Sequence, residues 1–570
     1  MLIAVLSACG SRTGLAGFGG AAPSPGAGGS STGGAGSGAA SGAGGIFGGG
    51  GVISSGGTFA TGGLIGAGGF PAGGSNSGGN AAGGTAGGGT GGEPPFAYLD
   101  YFKSPAPDEE ERYGAQVALS ADGRTMAVGA PYDDSGAVGI NGDPYNHDLP
   151  ESGAVFVYVR QEDVWTLQAY IKAQNPDNED FFGLALDLSA SGDRLAVGAT
   201  GEASIDGDPF NNDAPLCGAA YVFSRVGSTW TQDAYIKAPN AEPSDEFGCT
   251  VALSGDGNTL AVGACGESSG ATGAQGDQTD NSVLSSGAVY VLTGAGSDWS
   301  HQAYLKASNT DVFDCFGLSL ALADDGNTLV VGAPYEASSA TGVDGTQADE
   351  GAESAGAAYV LERSGSSWSQ TSYLKAINTA QGQFFGMTVD ISGAGDTIAI
   401  SATNERSLSA GVNGDPFDDS GVYVGAVYVL ERDSLSWAHD AYIKASNPQS
   451  ANFGFGLALT SDGNALLIGA IGEASAAMGI NGDQADLSAP GAGAAYLLRR
   501  SPPAWQQTAY LKANNTASYA NFGFSMALDD SAEIAAIGAP FENGSSSGIN
   551  GNPNDLTTTY AGAVYVYDLE

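Results

Sequence analysis

The residues best able to do chemistry in this chain are acids and amides gathered around glycine. Asn141-Gly142-Asp143 with Asp148, Asp206-Gly207-Asp208 with Asp213, Asn413-Gly414-Asp415 with Asp418, and Asn481-Gly482-Asp483 with Asp486 are the clearest groups. Weaker copies are Gly276-Asp277 with Asp280, Asp344-Gly345 with Asp349, and Asn550-Gly551-Asn552 with Asp555. Closely spaced carboxylate and amide oxygens around a turn can wrap a hard cation, so calcium is the cofactor this pattern suggests. The same dipeptides also form turns whose side chains cap nearby backbone groups with no ion present.

Other chemistry is sparse. Of the three histidines, His301 and His439 occupy equivalent places in separate repeats and His147 lies in a loop, so they are not expected to converge. No zinc spacing, nucleophile elbow or phosphate loop is present, and no catalytic residues are assigned. With 62 acidic residues some carboxylate pair could suit glycoside cleavage, which keeps a hydrolase or lyase as an alternative. The formal charge of -44 repels nucleic acid and anionic membrane surfaces and favours cations or cationic ligands.

The elements that position these groups emerge from self-similarity. An aromatic-Gly pair recurs at Tyr113-Gly114, Phe182-Gly183, Phe247-Gly248, Phe316-Gly317, Phe385-Gly386, Phe453-Gly454 and Phe522-Gly523, at spacings of 69, 65, 69, 69, 68 and 69 residues. Each copy continues with a short alternating strand, a tight turn such as Asp122-Gly123 or Asp256-Gly257, a second strand ending near Gly-Ala, a long polar loop, and two further strands. Period-2 apolar runs joined by such turns predict a four-stranded antiparallel meander.

All six tryptophans open the fourth strand and all seven lysines stand near its end. The first lysine, Lys103, precedes the first aromatic-Gly pair, so a lone fourth strand opens the domain and the chain ends after a third strand. If that opening strand completes the last blade, seven blades close into a ring with no unpaired edge. Small residues in the first two strands suit the crowded centre, and the tryptophans suit the rim between neighbours. The two-to-three loops then share a face with the acidic connections between blades, Asp108 to Glu111, Asp177 to Asp180 and Glu242 to Glu246. Arg160, Arg225, Arg363, Arg432 and Arg499 fall toward the opposite face. Each lysine is expected near the acidic rim as an exposed partner of carboxylates, contributing ~0–1 kcal/mol.

These repeats resemble the FG-GAP repeats of integrin α-subunit propellers, in particular the bacterial variety with a Gly-Ala-Val-Tyr-Val third strand, as at Gly287-Ala288-Val289-Tyr290-Val291. The resemblance covers residues 96–570 and implies an all-β, seven-bladed propeller with extracellular adhesion or ligand binding. Integrin-type repeats often carry an Asp-x-Asp-x-Asp-Gly calcium loop between strands one and two. Here that turn is short, as in Ser120-Ala121-Asp122-Gly123, which directs the calcium expectation to the two-to-three loops.

Ahead of the propeller, assigned to residues 94–570, residues 10–93 are mostly Gly, Ala and Ser and read as a disordered linker. Residues 1–9 end in Leu6-Ser7-Ala8-Cys9, which resembles a bacterial lipobox with Cys9 as the lipidated residue. The apolar run before it is short and lacks Lys or Arg, pointing to a start codon upstream. Export makes disulfides available to the other cysteines, and Cys249 and Cys265 flank one hairpin as a candidate pair, leaving Cys217 and Cys315.

The sequence therefore predicts an extracytoplasmic protein, secreted or anchored as a surface or outer-membrane lipoprotein, monomeric, and touching the membrane only through an N-terminal lipid. Its expected role is to bind an extracellular protein or glycan through an acidic face, with calcium as an aid. The alternatives are an envelope spacer without a specific ligand and the carboxylate-dependent hydrolase or lyase.

Overall fold

The computed structural model describes residues 97–205, 208–433, 436–502 and 504–569. Cys9, the linker and Asp206 lie outside these residues.

Strand β1 (Ala97–Phe102) opens the fold, and β2 (Gln116–Leu119), β3 (Thr125–Ala130), β4 (Ala154–Gln161) and β5 (Val164–Ile171) form the first blade as an antiparallel meander. The same innermost-to-outermost order repeats, giving seven sheets among the described residues. In the seventh, β1 pairs antiparallel with Ala563–Asp568, placing Phe102 opposite Val564 and Tyr98 opposite Tyr567. The opening strand thus closes the ring through main-chain hydrogen bonds, as the displaced repeat requires. No helix among the described residues is long and apolar enough to cross a membrane.

Burial explains the strand compositions. Apart from Arg194, every residue of the second strands is buried, as in β3 (TMAVGA) and Thr328–Ala333 (TLVVGA), because both sheet faces are covered by neighbouring blades. Seven apolar clusters form this core, each shared by adjacent blades; one joins Phe102, Val564 and Val566 of the closing blade to Tyr113, Phe156 and Trp165 of the first. Such tight convergence needs glycine. Gly183 adopts φ +90°, and a Cβ there would lie 2.6 Å from the Ala154 carbonyl oxygen.

On the hairpin side, main-chain bonds run from blade to blade. The Ala121 N–H donates to Ala190 O, Ala190 to Gly255, Gly255 to Asp324, Asp324 to Gly393, Gly393 to Ser461, and Asp530 back to Ala121, at 2.9–3.1 Å. At the rim, the Trp230, Trp368 and Trp505 indole N–H groups donate to Gln168, Gln302 and Asp440 of the preceding blade at 2.8–3.0 Å. Arg225, Arg363, Arg432 and Arg500 lie over the tryptophans of their own blades, 5.3–5.9 Å from ring centroid to guanidinium carbon. Arg500, not the adjacent Arg499, occupies the repeated position, opposite Trp505; Arg499 instead donates to the carbonyls of Ala532 and Leu569.

Candidate binding face

The face formed by the two-to-three loops and the blade connections has a buried charged layer beneath an exposed one. In the buried layer, each lysine pairs with an acid in the same blade: Lys103–Glu542, Lys172–Asp133, Lys237–Glu202, Lys306–Glu267, Lys375–Glu336 and Lys512–Glu473 at 2.5–2.9 Å, and Lys444–Glu405 likewise. The lysine side chains are 0–8% exposed, which corrects the expectation of exposed pairs. Burial lowers the pKa of Lys172, Lys306 and Lys375, while the adjacent carboxylate partly restores it. In five blades a tyrosine two residues before the lysine donates its hydroxyl to the same acid, as Tyr170 does to Asp133 at 3.0 Å.

These seven acids were missed in the sequence reading, which ended each second strand at Gly-Ala. The signal was available: an acid stands three residues beyond that alanine in every repeat, from Asp133 to Glu542, with the same spacings as the aromatic-Gly pairs.

In the exposed layer, the first residue of each described Asn/Asp-Gly turn serves the fold. Asn141, Asp344, Asn413, Asn481 and Asn550 adopt left-handed φ of 53–59°. Each side-chain oxygen accepts the backbone N–H of a tyrosine on the outermost strand, at 2.9–3.0 Å. Each backbone N–H donates to the same tyrosine's carbonyl at 2.7–2.8 Å. The side chain thereby extends the sheet and straps the loop across the outermost strand. In blade 6 the strap becomes a short strand, Gly479–Ile480, paired with Lys512 and Leu511.

The following acids cap turns of their own. Asp143, Asp208, Asp277, Asp415, Asp483 and Asn552 each accept the N–H two residues ahead, at 2.9–3.2 Å. Asp280, Asp349, Asp418 and Asp486 do the same in the second half of the loop, and Asp555 accepts the Thr557 hydroxyl. Asp148 and Asp213 are exposed. Local donors hold the carboxyls of Asp277, Asp349, Asp418 and Asp555 below the usual range, so they are charged at neutral pH. Among the described residues, no three His, Cys, Asp or Glu side chains gather in a group able to hold a metal ion. Turn capping is thus the use these loop oxygens have in the structure.

Three large rings stand on this charged layer. Tyr145, Phe210 and Phe417 follow Asp-Pro at loop tips and are 66%, 76% and 73% exposed. Their backbone N–H groups donate to the carboxylates of Asp143, Asp208 and Asp415, so each ring is held beside a charge. Nearer the ring axis, the Arg112 guanidinium lies 4.0 Å from the Tyr132 centroid and 5.2 Å from that of Phe541.

The connections between blades are also turn caps. Asp180 and Asp245 accept the N–H of Asp177 and Glu242, and burial pushes their carboxyls up to about 8 and about 7. Two further half-buried acids, Asp187 and Asp390, join innermost strands by accepting Leu253 and Leu459 N–H groups of the next blades at 2.7 Å. His301 and His439 lie on separate blades, each ring nitrogen 3.2 Å from a lysine carbonyl of the preceding blade. Cys249 and Cys265 are neighbouring thiols, and Cys217 is a thiol beside Lys237, not joined to Cys315.

No curated protein matches the chain. Among solved structures, the β-propeller domain of Myceliophteria thermophila Cps50 (Swd1) is 7% identical with a TM-score of 0.46, covering 83% of this chain and 100% of that one. The hydrazine synthase of Kuenenia stuttgartiensis is 11% identical at 0.43, covering 76% and 93%. A putative 6-phosphogluconolactonase from Bacteroides uniformis is 9% identical at 0.40, covering 70% and 86%. Likenesses of this degree say nothing about function. The FG-GAP repeat family matches residues 230–292 and 299–361. Each match begins at an outermost strand and ends in the next blade's third strand, and the same unit recurs around the ring. This chain is an FG-GAP repeat protein folded as a seven-bladed β-propeller.

Proposed function

We propose that the protein is an extracytoplasmic binding module whose loop face recognises a cationic segment of a partner protein. FG-GAP propellers commonly mediate ligand binding and are typical of extracellular or surface proteins. The observation that carries the choice of partner is the pairing of an exposed ring with an acidic loop at Tyr145, Phe210 and Phe417. Aromatic rings left in water mark contact sites, and a guanidinium or ammonium group satisfies both ring face and carboxylate. Arg112, stacked between Tyr132 and Phe541, is an internal example of that chemistry. A lipid at Cys9 would tether the face to an envelope through the Gly-, Ala- and Ser-rich segment.

The test is fluorescence anisotropy of the full chain with an Arg-rich decapeptide, a Glu-rich decapeptide and a neutral oligosaccharide. The Arg-rich peptide is expected to bind, salt-sensitively, and Tyr145→Ala/Phe210→Ala/Phe417→Ala to weaken it by ~10-fold or more. Equal binding of the oligosaccharide, or an unchanged affinity in the triple variant, overturns the reading. Absence of any saturable binding would favour the envelope spacer.

A further inference from the structure

Blade 3 carries a group of reactive side chains found in no other blade. The pairing of Phe247–Leu253 with Thr259–Ala264 is irregular between Phe247 and Thr250, and Cys249 occupies that stretch. Cys265 directly follows the second of these strands. Cys249 Sγ accepts the Cys265 N–H at 3.3 Å, and the Cys265 thiol donates to Glu246 Oε2 at 3.1 Å. Cys249 is 8% exposed, Cys265 0% and Glu246 4%. At these places in the first blade stand Ala115, Pro131 and Arg112, and in the second Leu184, Thr200 and Phe181. None of those can form or assist a disulfide.

We propose that Cys249 and Cys265 are a redox-active pair, closed to a disulfide by a small-molecule disulfide, with Glu246 as the base that activates Cys265. Cys249, the more exposed residue of the two, attacks the donor as its thiolate, forming a mixed disulfide and releasing one donor thiol. Cys265 then passes its proton to Glu246 and attacks Cys249 Sγ, expelling the second donor thiol. Two electrons and two protons pass from the pair to the donor, which is reduced to two thiols. Burial raises the Glu246 carboxyl to about 7, where it exchanges a proton near neutral pH. The new bond staples the innermost strand of blade 3 to its second strand on the binding-face side.

The experiment treats the folded full chain with oxidised glutathione, alkylates it with iodoacetamide in denaturant, and cleaves it at Asp256, which separates the two cysteines. Two peptides joined between Cys249 and Cys265, released by dithiothreitol, are expected, with Cys217 alkylated throughout. Glu246→Gln, checked for folding by circular dichroism, should close at least ~10-fold more slowly. Full alkylation of Cys249 and Cys265 after prolonged oxidation, or a bond from either to another cysteine, overturns the pair. Closure of Glu246→Gln at the wild-type rate overturns the base; the peptide map of the unmodified chain stands apart from how that variant folds.

Discussion

Lys103 Nζ lies 2.8 Å from Glu542 Oε2 although 439 residues separate them, and both side chains are at most 1% exposed. The ion pair lies within the blade that β1 closes, so ring closure depends on a charge as well as on strand pairing. Lys103→Met leaves the Glu542 carboxylate buried against the Tyr101 hydroxyl and Asn515 amide without its cation. The expected cost is ~3–5 kcal/mol by guanidinium denaturation. Lys103→Met/Glu542→Gln removes the charge but keeps an oxygen for both donors and should regain most of that loss. A single-variant cost under ~1 kcal/mol would mean the pair is not holding the blade.

Glycine is required to different degrees around the ring. Gly183→Ala puts a methyl group 2.6 Å from Ala154 O at φ +90°, against backbone that cannot yield without separating adjacent blades. A loss of more than ~3 kcal/mol is expected. Gly365→Ala, in an exposed hairpin at φ +65° with nothing within 4 Å, meets only backbone strain. Its cost should be ~1 kcal/mol. Thermal melts of the two variants side by side separate close approach from local strain.

The ring was legible because it leaves a periodic trace. Seven aromatic-Gly pairs and a lone strand around Lys103 prescribe blade number, strand order and closure, since a blade lacking its outermost strand would expose an edge. The loop chemistry was not legible in the same way. Asn141-Gly142-Asp143 reads equally as a cation loop or a turn; only coordinates reveal that Asn141 completes a two-bond pairing with Tyr170 while Asp143 caps Tyr145. The buried ion pairs escaped notice because Lys172 and Asp133, 39 positions apart, come together only after the blade folds.

Stability should rise as pH falls from about 8 to 5.5. Burial raises the carboxyls of Asp180 to about 8, Asp187, Asp245 and Glu246 to about 7, and Asp390 to about 6. Over this window the unfolded chain has these groups ionised while the folded chain takes up protons. The folded state therefore binds more protons, and acidification favours it until the pH approaches the unfolded carboxyl range. The buried lysines act in the opposite direction at high pH, where a lowered lysine pKa is neutralised first in the fold. Melts at constant ionic strength should give a Tm a few degrees higher at pH 5.5 than at pH 8. A flat profile would mean the buried carboxyls ionise in the fold as readily as in water.

Calcium should leave the thermal stability of the reduced protein unchanged. A loop binding calcium with a dissociation constant of ~0.1 mM would gain about 1.8 kcal/mol at 2 mM ion, and several such loops would raise the Tm unmistakably. Here Asn141, Asp344, Asn413, Asn481 and Asn550 spend a side-chain oxygen on the outermost strand. Asp143, Asp208, Asp277, Asp415 and Asp483 spend one on their own turns. The loops hold these turns without an ion, and among the described residues no three acidic side chains gather toward the six to eight oxygens that calcium takes. The expected Tm in 2 mM calcium lies within ~1 °C of that in 2 mM magnesium, with chelator making no further difference. A calcium-specific rise of more than ~3 °C, abolished by Asp415→Asn/Asp418→Asn, would mean instead that the loops rearrange around the ion and that the binding face is assembled by it.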